Sequence, residues 1–325
     1  MHGDGKVFEG CFYVPGLILT STHVIGYSSD FDERNFSGQA AKEKNLLGKQ
    51  FLEKIERDQF FEWAQKHIDK IKVIFHLGAR TDTTEFDTSV FERLNVGYSV
   101  SLFSFCTRYQ IPLLYASSAA TYGNGDKGYS DDPALIPFLT PLNPYGWSKQ
   151  EFDRWVLQRE EKPPHWYGFK FFNVYGPNEY HKGRMASVVF HAFNQIRETG
   201  RVKLFRSHRP DFADGMQLRD FVYVLDVVQL MINFWQQLPE SGIYNAGTGK
   251  AEPFLHLAEA VFDALGQKPA IDFIDTPIDI RDKYQYFTEA NMSRTCGTGL
   301  CPKFRSLREG VTEYVRQYLI NGRYF

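Results

Sequence analysis

The chain has 325 residues, of which 43% are hydrophobic, and its formal net charge is -2 at pH 7. A chain of this length and hydrophobic content can bury a large core, which excludes an intrinsically disordered protein. The nearly balanced charge gives no basic field for a polyanion, so nucleic acid is not an expected partner.

The residue pattern predicts alternating helices and strands from about residue 60 onward. The predicted helices are 60–67, 91–109, 145–161, 185–199, 225–237 and 306–319. The predicted strands are 72–79, 111–118, 165–173, 202–205 and 220–224, and 242–249 is predicted to be a strand and turn. This alternation indicates an α/β fold with a doubly wound parallel, Rossmann-like sheet. We assign 1–175 to a dinucleotide-binding domain and 176–325 mainly to a smaller substrate domain, with 220–249 returning to the sheet.

Small and polar residues follow two apolar runs that have the form of buried parallel strands. Gly78 and Ala79 end the run 72–79, and Ser118 ends the run 111–118. Asn95 follows at the start of a helical pattern. Because ligands of open α/β sheets bind at the carboxyl ends of the strands, these residues are predicted to line a site.

Tyr145 and Lys149 are spaced four residues apart in a predicted helix, so they project from the same face. A cation below a phenol favours the ionised form of that phenol. Tyr145 is therefore predicted to exchange a proton with a carbinol, and the Ser118 hydroxyl is predicted to supply a second hydrogen bond. A YxxxK spacing alone is a weak signal, because most such pairs combine a core aromatic with a solvated lysine.

These residues resemble the extended short-chain dehydrogenase/reductase family, whose members combine a strand-end Ser, a YxxxK and an upstream Asn around a nicotinamide. The segments 115–123, 172–188 and 219–224 are similar to those of the ADP-L-glycero-D-manno-heptose 6-epimerase family. That family inverts C6'' of an ADP-linked heptose for the inner core of lipopolysaccharide. The resemblance covers roughly residues 72 to 317, and the stretch that begins at His181 is much more specific than YxxxK.

The resemblance implies a set of site residues. Tyr145 and Lys182 would be the two catalytic acid/bases, with Ser118 as the hydrogen-bonding partner. The residues implied at the cofactor are Asp30, Phe31, Lys42, Arg57, Leu77, Gly78, Ala79, Arg80, Thr81, Asn95, Lys149, Val174 and Lys182. The residues implied at the substrate are Asn173, Arg184, His191, Phe205, Arg206, Ser207, His208, Arg219 and Tyr284. Arg184 stands where the family often has a small Ser.

The N-terminal segment departs from the family pattern of a strand followed by GxxGxxG, whose glycines admit the cofactor pyrophosphate. No apolar strand precedes Gly3, Gly5 and Gly10, and Pro15 stands where a helix interior should be. Residues 1–30 are therefore atypical, and a scrambled or frame-altered segment explains them better than a deletion. If the phosphate loop is lost, cofactor affinity should fall.

The leading hypothesis is a cytoplasmic epimerase with tightly held NADP, since Lys42 and Arg57 fall near positions that would bind a 2'-phosphate. NAD is the alternative cofactor. The rival functions are another nucleotide-sugar 4-epimerase or dehydratase, which would not require Lys182, and a catalytically impaired nucleotide-sugar-binding homologue. The resemblance also implies a homo-oligomer, a pentamer in the family.

The remaining sequence features favour a protein without metal or membrane partners. Four scattered cysteines, Cys11, Cys106, Cys296 and Cys301, are too few for a disulfide scaffold. The spacing of Cys296 and Cys301 is interpreted as chance, because no second Cys/His pair lies at ligand spacing. No apolar stretch reaches the roughly 20 residues that span a bilayer, and the first twenty residues do not form a secretory signal.

Overall fold

The computed structural model describes residues 24–27, 43–49, 51, 53–81, 87–281 and 284–325. Three predicted cofactor-binding residues, Asp30, Phe31 and Lys42, lie outside these ranges, as do Cys11 and the N-terminal glycines. Among the helices of the described part, none is long and apolar enough to cross a membrane.

The described residues form eleven strands and ten α-helices. The strands are β1 Val24–Tyr27, β2 Glu53–Glu56, β3 Ile74–His76, β4 Leu113–Ser118, β5 Trp166–Phe171, β6 Asn173–Tyr175, β7 Val202–Phe205, β8 Leu218–Tyr223, β9 Gly242–Ala246, β10 Ala251–Pro253 and β11 Ile271–Ile274. The α-helices are α1 Phe60–Lys66, α2 Thr88–Phe91, α3 Tyr98–Arg108, α4 Pro144–Gln158, α5 Val188–Thr199, α6 Val224–Gln237, α7 Phe254–Leu265, α8 Ile278–Arg281, α9 Ser293–Gly297 and α10 Leu307–Glu313.

The central feature is a parallel four-stranded sheet with the order β3-β4-β5-β9. Successive β4 side chains point to opposite faces. Leu113 and Tyr115 pack in one buried cluster with residues of α3 and α4, whereas Leu114 and Ala116 pack in another with residues of α6. Helices therefore cover both faces, as parallel sheets require. The predicted doubly wound α/β fold is confirmed.

A third buried cluster lies in the C-terminal half and joins α5, α7 and α10 to strands β7 and β8. Here β8 lies between β6 and β10 in a three-stranded sheet, and β7 pairs in parallel with β11. Of the strands within 220–249, β9 belongs to the four-stranded sheet, where it pairs with β5.

Strand β1 was not predicted. It pairs in parallel with β2, with Val24 opposite Glu53, inside the segment whose glycine and proline pattern argued against regular structure. The signal was the short run Val-Ile-Gly-Tyr, which is rich in residues typical of strands.

The interpretation of the cysteine pair was also wrong, because Cys296 and Cys301 form a disulfide with a Cα–Cα distance of 5.0 Å. Helix α9 ends at Gly297, and Gly299 adopts a positive φ of 76°. Glycine takes that conformation readily, so the chain turns back and brings the two sulfurs together. Cys106 is free and buried.

Candidate active site

Helix α4 begins with a well-formed N-terminus that places Tyr145 and Lys149 in its first turns. The Asn143 side chain caps the helix by accepting a hydrogen bond from the Gly146 N–H at 2.8 Å. Pro144 occupies the first turn, where its missing N–H is not needed. The helix position of both candidate residues is thus set by local sequence.

Lys149 is buried, with 4% of its surface exposed. Its Nζ donates a hydrogen bond to the Ala116 carbonyl oxygen of β4 at 2.8 Å. Burial lowers the pKa of Lys149 to about 8, and the Asp153 carboxylate acts in the opposite direction. An ammonium has three donors, so the bond to Ala116 leaves capacity for a ligand at the strand end.

The Tyr145 phenol differs from the sequence-based expectation. Burial raises its pKa above the usual value, and hydrogen bonding with the Ser118 side chain opposes this shift. The expectation that Lys149 favours the phenolate does not describe this state, because the Lys149 amine is bonded to Ala116 and desolvation dominates. Ser118 and Tyr145 are nevertheless brought together, as the motif predicted.

Asn95 connects the end of β3 to α4. It lies in a π-helical turn, Glu92–Gly97, where a regular α-helix was predicted, and such turns are frequent at functional sites. Its side-chain amide accepts from the Arg80 N–H at 2.8 Å and donates to the Arg80 carbonyl at 2.9 Å and to Ser148 Oγ at 2.9 Å. Ser148 Oγ in turn donates to the Tyr145 carbonyl at 2.7 Å.

The segment after β3 leaves the core gradually. Leu77 is buried, whereas the next four residues, Gly78, Ala79, Arg80 and Thr81, are partly exposed. Gly78 has no side chain and Ala79 has only a methyl group, so neither residue carries a bulky group at the strand end. Together with the buried Lys149 amine, these are the residues at the strand ends that could hold a flat, polar cofactor. The remaining cofactor candidate before it, Arg57, pairs with Asp58 at 2.9 Å and lies 5.8 Å from the Tyr98 ring centroid.

Lys182 lies between β6 and α5, in the segment Tyr180–Met185, where two short 3-10 turns are separated by a kink at Gly183. Burial lowers the pKa of Lys182, and the Glu179 carboxylate opposes this shift. Glu179 is itself buried and accepts from the Ser187 N–H at 2.7 Å and from Ser187 Oγ at 2.6 Å. The start of α5 therefore anchors the segment that carries Lys182.

Two substrate candidates belong to the same region. Arg184 is exposed, and its carbonyl lies 3.3 Å from His191 Nε2 on α5. Gly183 between Lys182 and Arg184 has φ +53° and ψ -129°, a conformation that glycine adopts readily. The chain can thus reverse between the two basic residues.

A second group of substrate candidates surrounds Arg219. Its guanidinium donates to the Leu218 carbonyl at 2.8 Å and to the Gln285 carbonyl. It lies 5.5 Å from the Tyr284 ring and 5.6 Å from the Phe254 ring. Phe205 contacts Tyr284 edge-on at 5.9 Å between ring centroids. Arg219 is thus held between two aromatic rings, with part of its donor set already used.

The polar turn after β7 completes this group. Arg206 lies 3.5 Å from the Asp275 carboxylate, and the Ser207 N–H donates to Asp214 at 2.8 Å. The His208 N–H donates to the Tyr286 hydroxyl at 2.8 Å. These bonds fix the backbone of 206–208 beside Tyr284.

Contacts between elements connect the second group to the strand ends. The Gln285 side chain donates to the Gly123 carbonyl, just beyond the turn that Ser118 begins. Asn173, which is exposed, and Val174 lie on β6, where Asn173 is opposite Phe221 of β8. Ser118 is opposite Phe171 of β5, two residues before Asn173.

Sequence reasoning missed the buried Asp153, one turn beyond Lys149, and its partner Lys170. The available signal was the four-residue spacing of Tyr145, Lys149 and Asp153. Within the described ranges, no group of three or more His, Cys, Asp or Glu side chains is placed to hold a metal ion.

Comparison with known proteins gives the family. A model of the NAD dependent epimerase/dehydratase family matches residues 21–247. The chain belongs to this family. It is also 45% identical over 285 residues to the ADP-L-glycero-D-manno-heptose-6-epimerase of Fusobacterium nucleatum, which covers 85% of this chain and 86% of that protein. It is 46% identical over 281 residues to the protein of the same name from Nitratidesulfovibrio vulgaris, with 86% of each chain covered.

Solved structures agree on the fold. The ADP-L-glycero-D-manno-heptose-6-epimerase of Helicobacter pylori superposes with a TM-score of 0.77 at 23% identity, covering 97% of this chain and 96% of that chain. The UDP-N-acetylglucosamine 4-epimerase of Methanobrevibacter ruminantium gives a TM-score of 0.78 at 19% identity, covering 99% and 100%. The curated relatives confirm the resemblance predicted from the motifs and favour it over the 4-epimerase alternative.

Proposed function

We propose that this chain is an epimerase that inverts C6'' of an ADP-linked heptose, converting the D-glycero to the L-glycero form. The observation that carries the proposal is the identity of 45% over 285 residues to a curated 6-epimerase. The geometry supports it, because Ser118, Tyr145 and Lys149 meet where β4 ends.

The proposed mechanism needs proton transfer at two positions. A bound nicotinamide dinucleotide supplies a hydride acceptor and then a hydride donor. Tyr145 exchanges a proton with the C6'' hydroxyl in one orientation, with Ser118 holding the same oxygen. Lys182 serves the hydroxyl in the opposite orientation. Burial lowers the pKa of Lys182, which makes loss of its proton easier and helps it to act as a base as well as an acid.

The remaining candidates bind and orient the two nucleotides. Lys149 would donate a hydrogen bond to the ribose next to the nicotinamide, and Gly78 and Ala79 would border the ring. Arg219 directs its remaining donors toward the substrate pyrophosphate, since a guanidinium recognises phosphate oxygens in pairs. Tyr284 and 205–208 border the nucleotide, whereas Asn173, Arg184 and His191 approach the sugar.

We propose NADP as the cofactor, on the basis of the basic residues Lys42 and Arg57. Solved relatives described in complex with NAD, such as the UDP-glucose 4-epimerase of Thermus thermophilus, make NAD the competing choice. A cytoplasmic homo-oligomer, a pentamer by family resemblance, and the division at residue 175 belong to the same proposal.

The test is direct. Purified protein is incubated with ADP-D-glycero-D-manno-heptose, and conversion is followed by ¹H NMR of the heptose. Dinucleotide released on denaturation is identified by mass spectrometry. Conversion with released NADP supports the proposal, and released NAD corrects the cofactor alone. Absence of conversion when saturating NADP or NAD is added would contradict the proposed activity and favour the impaired homologue.

A further inference from the structure

A fully buried ion pair lies beneath the helix that carries Tyr145 and Lys149. The Lys170 Nζ of β5 lies 2.6 Å from Asp153 Oδ2, and both side chains have no solvent exposure. Asp153 follows Lys149 by four residues, so Tyr145, Lys149 and Asp153 lie along one face of α4. The proposed mechanism uses neither member of this pair.

The two charges are hydrogen-bonded to the elements that form the site. Asp153 Oδ2 accepts from Ser117 Oγ at 2.6 Å, and Oδ1 accepts from the Tyr115 hydroxyl at 3.2 Å. Lys170 Nζ donates to Thr121 Oγ1 at 2.8 Å, in the turn after β4. The network therefore spans α4, β4, β5 and the turn that Ser118 begins.

A buried ion pair is by itself weak evidence for stabilisation, because desolvation of both charges offsets their attraction. Neutral side chains of similar size would fill the same volume. The position of the pair is informative, since its carboxylate lies one helical turn from a second buried ammonium, Lys149. The hydrogen bond from Ser117 Oγ to the Asp153 carboxylate also restrains Ser117, the residue before Ser118.

We propose that Asp153 is a positioning residue that keeps Lys149 charged and fixes the end of β4 against α4, with Lys170 as its buried counter-ion. This inference rests on the proposed role of Lys149. The effect of Asp153 on the titration of Lys149 can be measured without enzyme turnover. The inference about Asp153 and the proposed epimerase function can therefore fail separately.

The groups around Lys149 support this assignment. Burial lowers the pKa of Lys149 to about 8, and Asp153 is the group that opposes this shift. On β3, burial and the Lys149 charge hold the pKa of His76 at about 3, so His76 is neutral near pH 7. On β4 and α4, burial raises the pKa values of Tyr115 and Tyr145, which are also neutral there. Lys170 on β5 carries a positive charge paired with Asp153. Asp153 is therefore the negative charge that acts on Lys149 from these elements.

The test uses two variants and a matched control. Asp153→Asn removes the carboxylate, and Asp153→Asn combined with Lys170→Met also removes the lysine that would otherwise be buried without a partner. Asp226→Asn removes another buried carboxylate, which pairs with Arg305 at the start of α6. The titration of Lys149 is followed by NMR of Cε in ¹³C-lysine-labelled protein and assigned with Lys149→Met. The alkaline limb of the kcat profile is measured in parallel.

We expect the Lys149 midpoint to fall by about one pH unit in Asp153→Asn, as expected when an opposite charge is removed nearby, and to fall by less in the double variant, which also removes the Lys170 charge. The alkaline limb of kcat should move down with it, while Asp226→Asn leaves both unchanged. An unchanged Lys149 midpoint in Asp153→Asn would reduce the pair to a structural role and overturn the proposal. An equal shift in Asp226→Asn would also overturn it, because the effect would then be general loosening. A shifted midpoint in a protein without epimerase activity would support the inference and contradict only the proposed function.

Discussion

Asn95 donates its side-chain amide to Ser148 Oγ at 2.9 Å, which connects the π-helical turn to the helix of Tyr145 and Lys149. The same amide pairs with both backbone groups of Arg80. A side chain that satisfies three partners at once is difficult to replace, because each buried partner left unpaired is destabilising.

Asn95→Ala should therefore lower the free energy of unfolding by about 1–3 kcal/mol. It should also reduce kcat/KM, since the strand end and α4 lose their connection. Urea unfolding and initial rates with ADP-heptose measure the two effects. Asn233→Ala, which removes a bond from α6 to the Leu300 carbonyl, is the control and should leave kcat/KM unchanged. Unchanged activity in Asn95→Ala would count against a role in the site.

Tyr145→Phe should reduce epimerisation by about two to four orders of magnitude, the usual loss for a missing acid/base. Folding should change little, because the ring is retained. The control is Tyr167→Phe, which removes a buried hydroxyl bonded to the Pro239 carbonyl. Rates are compared by the NMR assay and folding by thermal unfolding. A similar loss of rate in both variants would remove the specific role of Tyr145.

Lys182→Met should reduce epimerisation by a comparable factor, about two to four orders of magnitude, because one of two proton-transfer groups is missing. Lys203→Met on β7 is the control, since Lys203 is exposed. Near-normal turnover in Lys182→Met would eliminate the two-base mechanism and favour a mechanism in which Tyr145 acts alone.

His76 should make the protein sensitive to acid. Burial and the nearby Lys149 lower the pKa of His76 to about 3, whereas an unfolded His titrates near 6.5. Between these values the unfolded state binds the extra proton, so stability falls as pH decreases. Between pH 7 and 5, the free energy of unfolding of His76→Asn should fall by about 2 kcal/mol less than that of the parent, as measured by urea unfolding. The exposed His256→Asn should follow the parent, and an equal acid loss in parent and His76→Asn would contradict this account.

Hydrophobic periodicity predicted the helices and strands that bury one apolar face. The strand at 202–205 was predicted with its observed bounds, and α4 was predicted to start within one residue of Pro144. Local pattern did not reveal the π-helical turn at Glu92–Gly97, because the same residues also suit a regular helix. It also missed the parallel pairing of β1, which depends on a partner almost 30 residues away.

The candidate site was likewise predicted from local pattern only in part. The motif brought Ser118, Tyr145 and Lys149 together, because strand-end and helix spacing determine their positions. The pKa of Tyr145 could not be predicted in the same way, since it depends on desolvation and on the Lys149 bond to Ala116. The pairing of Asp153 with Lys170 joins residues on different elements, and no local pattern specifies it.

The pairing of β5 with β9 has a consequence for how the chain folds. Residues 167–171 find their partners at 242–246, some 75 positions later. During synthesis, β5 therefore presents an open, apolar edge until β9 has emerged, and such edges recruit other chains. Nascent or truncated chains that stop before Gly242 should aggregate, and a chaperone that shields strand edges should improve the yield of folded protein.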